Sequence, residues 1–540
     1  MLFAVIFYSG FFFAFLVLPA GAILVALLFL NNQQRLWERS TSALTRFGAL
    51  LRIGQLVHRV DLRQRFPKTA EIIAQRLDPG APWGLPATTA GIIILLGVWL
   101  FLGVLQDIVA RDPLTILNVR LHNAVPLFRT NATTWLMLVF TQLGSTVVLS
   151  LLCVGAALLA LARNLPRLAA TFLLALVGTG ILSATLKALV GHPRPTGAIV
   201  GAYEASFPSG HMLSGAVVYG LIATVFLASR MHRGIRALGT TTLVLVVVGI
   251  GLSRLYLGVH WPSDILGSLA LAIVALTSLL FFLHFAGSIH WVDHFLLLRC
   301  NGVLRMTGIA LLFLAIGGAF LLARYTPVVS SEAGRADQMV NIESLQKSMP
   351  PGLPRWSEDL IGERMEPISL VIVGSEDQIV GAFLEAGWMR ADLPTPRRVM
   401  QGALAILQNR ADLTGPATPA FFADRPQKVT LEKPDMNFPS IRRRHHVRLW
   451  QTNFCLSPNC REIWVATASF DLGIELSHLY LPIHRIDPAI DHERSQIVAD
   501  LIHARASYLA DVPMTPAVRG RNADRNHFHT DGFAALVVLP

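Results

Sequence analysis

Three short groups of residues have types and spacings suited to a multiply charged anion. The first is Lys187 and, after six intervening residues, Arg194-Pro195. The second is Pro208-Ser209-Gly210-His211. The third is Ser253-Arg254, followed by His260 and then Asp264. Lys187, Arg194 and Arg254 are three cations, and arginine offers paired N–H donors that match phosphate oxygens. Ser209 and Gly210 would open a helix, whose first amides have no internal acceptor and lie at the positive end of the helix dipole. Gly210 lets a ligand approach the backbone closely. With Pro262 in a first helical turn, His260 and Asp264 are four apart and meet across that turn. A carboxylate on one imidazole nitrogen fixes the tautomer and leaves the other nitrogen as a nucleophile or base.

Together these residues predict phosphoryl transfer without a metal or other cofactor. His260 would attack phosphorus, and His211 would protonate the leaving oxygen and then activate water. Lys187, Arg194, Ser209, Gly210 and Arg254 would hold the phosphate oxygens, with Asp264 orienting His260. Taken alone, a lysine or arginine at a helix end is commonly an interfacial anchor. Three groups in series favour a site.

The elements that must position these residues are membrane helices. The chain has 540 residues, of which 53% are hydrophobic and 15% charged, with mean hydropathy +0.53. Soluble domains carry about 25% charged residues, so a soluble enzyme is excluded. Apolar runs long enough to cross a bilayer lie near 2–30, 88–109, 134–162, 168–190, 212–229, 237–257, 264–286 and 303–323. The net charge of +11 reads as membrane topology, not nucleic-acid binding. Segment 31–87 and the loops on its side hold sixteen Lys and Arg, against about six on the other side. By the positive-inside rule that segment is cytoplasmic, and all three residue groups lie on the outer face.

Beyond about residue 325 the composition turns polar. A Pro- and Ser-rich linker over 327–367 leads into an α+β domain. Strands are expected at Ile368–Gly374, Lys428–Glu432, His446–Trp450 and Glu462–Phe470, and helices at Ser375–Trp388, Arg397–Gln408 and, closing the domain, Asp487–Ala506. Cys455 and Cys460 suit a short disulfide better than a zinc site with His445-His446, because neighbouring strand residues point to opposite faces. Tyr203 and Glu204 read as loop solvation, with gating of the headgroup as the alternative, and His192, which sits before Pro193 and could touch phosphate, is not assigned to the site.

The three groups resemble the signature of the type 2 phosphatidic acid phosphatase superfamily, membrane lipid phosphatases related to vanadium haloperoxidases. The resemblance covers about 88–286, and all the signature's functional positions are filled: Lys187, Arg194, Pro195, Pro208, Ser209, Gly210, His211, Ser253, Arg254, His260 and Asp264. It implies hydrolysis of lipid phosphates or diphosphates, with His260 as nucleophile and His211 as acid. The stretches Arg444–Arg448 and Trp464–Ser469 resemble the LssY-type C-terminal domain, whose activity does not carry over. Chains of that architecture often have a DedA-type membrane domain in front, and this one begins inside what reads as its last span.

The sequence thus predicts an all-α polytopic membrane protein of about eight helices followed by an α+β soluble domain. Its expected parts are a transmembrane helix at 1–30, a basic cytoplasmic segment at 31–87, a six-helix phosphatase core at 88–286, a further helix at 303–323 and an outer domain at 330–540. The expected partners are membrane lipids and a lipid phosphate substrate, for example polyprenyl diphosphate, phosphatidylglycerophosphate or phosphatidate, in a bacterial inner membrane. The competing readings are a phosphotransferase with a non-water acceptor and a non-enzymatic membrane scaffold.

Overall fold

The computed structural model describes residues 67–78, 83–110, 113–201, 204–229, 231–285, 302–328, 338–392, 417–435, 443–476 and 482–540, with isolated residues between these stretches. The expected span at 2–30 and most of the basic segment fall outside them, as does most of the helix expected over 397–408. The described chain forms two compact units. One holds the membrane helices, and the other joins residues 111–130 to 331–540.

A short helix α1 (Pro67–Leu77) precedes the long α2 (Leu85–Ala110). After α3 (Pro113–Ala124) come α4 (Asn131–Leu143), α5 (Thr146–Ala162), α6 (Pro166–Val190), α7 (Gly210–Ala228), α8 (Arg233–Tyr256), α9 (Pro262–Phe285) and α10 (Gly302–Tyr325). Six of the described helices are long and apolar enough to cross a membrane, and α4 with α5 makes a seventh span when the two are taken together. The protein is a multi-span membrane protein. The single span expected over 134–162 is broken, with α4 and α5 bent by 49°. The break has a local cause. Gly144 and Ser145 separate the two helices, and Ser145 caps α5 by accepting from the Val148 amide. A side chain at Gly144 would lie 2.8 Å from Ile250 and 3.3 Å from His211, so only glycine permits this approach. Tyr219 of α7 donates to the Leu143 carbonyl at 2.9 Å, satisfying a group freed at the break.

Helix α7 is the centre of the bundle and packs on α6, α8 and α9. Polar contacts as well as apolar ones hold it. Thr179 of α6 and Ser214 of α7 share a hydrogen bond of 2.9 Å. Ser268 of α9 donates to the Ser209 carbonyl at 3.1 Å. Lipid tails give no hydrophobic drive for helix association, so such contacts fix the register of the helix ends.

The second unit is built on a nine-stranded mixed sheet with α11 (Ile342–Lys347), α12 (Glu376–Glu385) and α13 (Ile490–His503). Its path runs β12 (Ser507–Pro513), β15 (Phe533–Val538), β4 (Leu370–Val373), β10 (Arg461–Leu476), β9 (Arg444–Leu456), β8 (Val429–Pro434) and β5 (Met389–Arg390). The strands β1 (Gln338–Val340) and β11 (Pro482–Ile486) pair with β9 and β10. The smaller sheets comprise β2 (Trp356–Glu358), β3 (Arg364–Pro367), β6 (Phe421–Phe422) and β7 (Arg425–Pro426), and β13 (Val518–Arg521) with β14 (His527–Thr530). The α+β expectation holds. The expected start at Ser375 forms a full capping box with Gln378, and α13 packs with α12 on one face of the sheet. That helix does not close the domain. Four strands follow it, and β15 inserts beside β4 because Ala534–Val537 of its apolar run are buried on both faces.

Cys455 and Cys460 form a disulfide. His445 meets Glu493 at 2.9 Å and His446 meets Asp471 at 3.2 Å, on opposite faces of β9, so the two histidines share no ion.

Segment 113–128 belongs to this unit. Leu117, Leu121 and Ala124 pack with Leu360 and Phe421. Arg120, almost fully buried, pairs with Glu358 and, at 2.9 Å, with Asp424. Replacing Arg120 by Ala should destabilise the unit by about 2 kcal/mol, less than for a fully buried pair because both carboxylates can rehydrate. Thermal unfolding of the purified protein checks this, and an unchanged midpoint would remove Arg120 as a stabiliser.

Candidate functional site

Lys187 lies in the last turn of α6, which Gly191 ends in the left-handed conformation (φ 61°) with its amide bonded to the Lys187 carbonyl. The chain then turns into the loop 192–209. There Arg194 donates from Nη1 to the Val259 carbonyl at 2.6 Å and from Nε to the Glu204 carbonyl. Lys187 Nζ is 2.6 Å from Glu204 Oε2. Glu204 thus contacts two of the three expected phosphate cations. The ammonium holds its carboxyl below the usual carboxylate range.

Ser209 is the N-cap of α7, yet its side chain makes no cap hydrogen bond. Its hydroxyl is buried without a partner among the described residues. The amides of Gly210 and His211 open the helix and have no intrahelical acceptor. The His211 imidazole makes no hydrogen bond among the described residues and lies within electrostatic reach of Arg254, His260, Lys187 and Arg194. Arg254, near the end of α8, donates from Nη1 to Thr141 Oγ1 at 2.7 Å, while its Nε is buried without a partner among the described residues. Ser253 turns away and bonds the Ile250 carbonyl of its own helix at 2.7 Å.

His260 stands just before α9. Its Nδ1 is 3.1 Å from Asp264 Oδ2, and the same oxygen accepts from the Trp261 amide at 2.8 Å. Its Nε2 makes no hydrogen bond among the described residues. Burial pushes the His260 imidazole down to about 4, against the opposing pull of Asp264, so it is neutral and holds its lone pair at physiological pH.

The structure thus brings Lys187, Arg194, His211, Arg254, His260 and Asp264 into one neighbourhood, with Ser209 and Gly210 at its helix start. Three residues escaped sequence reasoning. Thr141 holds Arg254, while His192 and Ser206 lie at 3.2 Å and 3.4 Å from Asp264 Oδ1. Thr141 sits beside the unforeseen helix break. His192 and Ser206 sit in an irregular loop, where no period predicts which way a side chain points.

Residues 168–288 match the PAP2 superfamily and residues 351–533 the LssY C-terminus. Over 106 residues the chain is 36% identical to phosphatidylglycerophosphatase B of Bacillus subtilis (strain 168), covering 19% of this chain and 49% of that protein. Over 111 residues it is 32% identical to a candidate undecaprenyl-diphosphatase of Escherichia coli (strain K12), covering 19% and 52%. The chain therefore spans about half the length of these curated relatives. A crystal structure of a transmembrane PAP2-type phosphatidylglycerolphosphate phosphatase from Bacillus subtilis is similar over 36% of this chain and 94% of that one, with 24% identity and a TM-score of 0.30. By the family matches, a segment similar to the PAP2 superfamily lies within the membrane unit, and one similar to the LssY C-terminus follows it.

Proposed function

We propose that the protein is an integral membrane phosphatase for lipid phosphates or diphosphates, working through a phosphohistidine. The observation that carries this reading is the His260–Asp264 pair, with His260 Nε2 unengaged among the described residues, in a site where Ser209 Oγ and Arg254 Nε are buried without partners among those residues. Unsatisfied buried polar atoms are costly, and a phosphate supplies their acceptors. Phosphatidylglycerophosphatase and undecaprenyl-diphosphatase names among the relatives support a lipid phosphate as substrate.

The reaction has two displacements. His260 Nε2 attacks phosphorus, a P–N bond forms, and the P–O bond to the leaving group breaks as His211 gives that oxygen a proton. His211 then takes a proton from water, the resulting hydroxide attacks phosphorus, and the P–N bond breaks to release phosphate. Arg254, Arg194, Lys187, Ser209 Oγ and the first amides of α7 stabilise the equatorial oxygens in both steps. The substrate keeps its tail in the bilayer. The charge distribution of the loops supports a site on the outer face of a bacterial inner membrane, with the C-terminal domain on that same face by helix alternation.

Phosphate release in detergent, with a chelator present, tests the reading on polyprenyl diphosphate, phosphatidate and phosphatidylglycerophosphate. His260→Ala should lower release by at least about a thousandfold, and release equal to that of the wild type would remove His260 as nucleophile. Protonated His260 has no lone pair to attack with, so kcat/KM should fall as pH drops through about 4. A pH profile with no acid limb in that region would contradict this. Glu204→Gln frees Lys187 for substrate, and because the pair is exposed the gain is small. KM should drop about two- to fivefold with kcat unchanged, and an unchanged KM would mean that Glu204 does not compete with phosphate.

A further inference from the structure

Asp264 has no exposure to solvent, so its carboxylate is oriented wholly by protein donors. One oxygen, Oδ2, serves His260 and the Trp261 amide. The other, Oδ1, faces His192 Nδ1 at 3.2 Å and Ser206 Oγ at 3.4 Å. His192 is itself held firmly. Ser206 Oγ is 3.0 Å from its Nδ1, the Ser206 amide donates to its carbonyl at 2.8 Å, and its ring lies beside that of Trp261. Two imidazoles therefore share one buried carboxylate, and only one of them is required by the reaction proposed above.

We propose that His192 is a positioning residue, which donates from Nδ1 to Asp264 Oδ1 and thereby aims and tempers the carboxylate that holds His260. The proposal rests on the reading of His260 as nucleophile. A donor on Oδ1 fixes the carboxylate plane, so Oδ2 stays aligned with His260 Nδ1. It also draws charge away from Oδ2, which keeps His260 less basic than an untempered carboxylate would make it. The other charged or titratable groups facing this pair are Arg194, Arg254, His211 and Lys187 with its partner Glu204, and none of them is altered by a change at residue 192.

The test compares His192→Ala, His192→Asn and His192→Gln in the full-length protein. An asparagine amide reaches the place of the imidazole Nδ1, whereas a glutamine amide is displaced by one carbon. His192→Ala and His192→Gln should lower kcat on the order of tenfold and leave KM within about twofold. Their acid limb should move up by about half a pH unit or more, and His192→Asn should restore the wild-type limb. A purely structural role would lower activity equally at every pH, with no rescue by asparagine.

A second measurement does not depend on turnover. In 15N-histidine-labelled protein in bilayers, the His260 imidazole signal, identified by its loss in His260→Asn, should titrate at higher pH in His192→Gln than in the wild type. A midpoint and an acid limb that both superimpose on the wild type would overturn the proposal. If the midpoint moves but the wild type hydrolyses no lipid phosphate, the phosphatase reading falls and the coupling of His192 to His260 stands.

Discussion

A carboxylate sealed from water is stable only where donors surround it, and Asp264 is surrounded by groups from two separate loops. His260 and Trp261 reach it from the start of its own helix, and His192 and Ser206 reach it from the loop between α6 and α7. A buried charge without such partners would be too costly to keep. The need to satisfy one side chain therefore ties together the three stretches that carry the site's cations and histidines. Arg194 reinforces the same junction through the Val259 carbonyl, and the Trp261 indole does so through the Pro193 carbonyl at 2.8 Å.

The opposite wall of the site depends on a helix that does not run straight. The α4–α5 break frees backbone groups at membrane depth, and Tyr219 and Ser145 take them up. In return, the break brings Gly144 against His211 and leaves Thr141 where it can hold the Arg254 guanidinium. With one nitrogen committed to Thr141, Arg254 is prevented from swinging while its Nε stays available. In the proposed reaction, pre-organised donors of this kind would need little rearrangement as charge moves onto phosphate oxygens.

Much of this was legible in the sequence because it rests on long apolar runs and on short, rigid spacings. The described spans fall within a few residues of their apolar runs, and His260 and Asp264 meet as their four-residue spacing requires. The capping box at Ser375 and Gln378 was equally local. What escaped were contacts set by irregular backbone. His192 lies two residues before Arg194, yet which way it turns is decided by the path of a loop. Glu204 was invisible as a partner for Lys187 for the same reason. The final strands were missed because a continuous apolar run such as Phe533–Val538 lacks the alternation that marks a half-buried strand.

The placement of residues 113–128 was the least legible feature, and it changes how the C-terminal domain is understood. Hydropathy sees only a polar connection between two spans. In the fold, Leu117, Leu121 and Ala124 supply one side of a small core whose other side is Leu360 and Phe421, and Arg120 pairs with carboxylates more than 200 residues away in sequence. A domain boundary drawn at residue 330 would leave Leu360 and Phe421 without their partners and would strand a buried arginine on the other fragment. The LssY-type domain is thus completed by a segment from inside the membrane region. Truncation at the apparent linker would perturb both fragments, and single substitutions are the cleaner way to ask what the domain does.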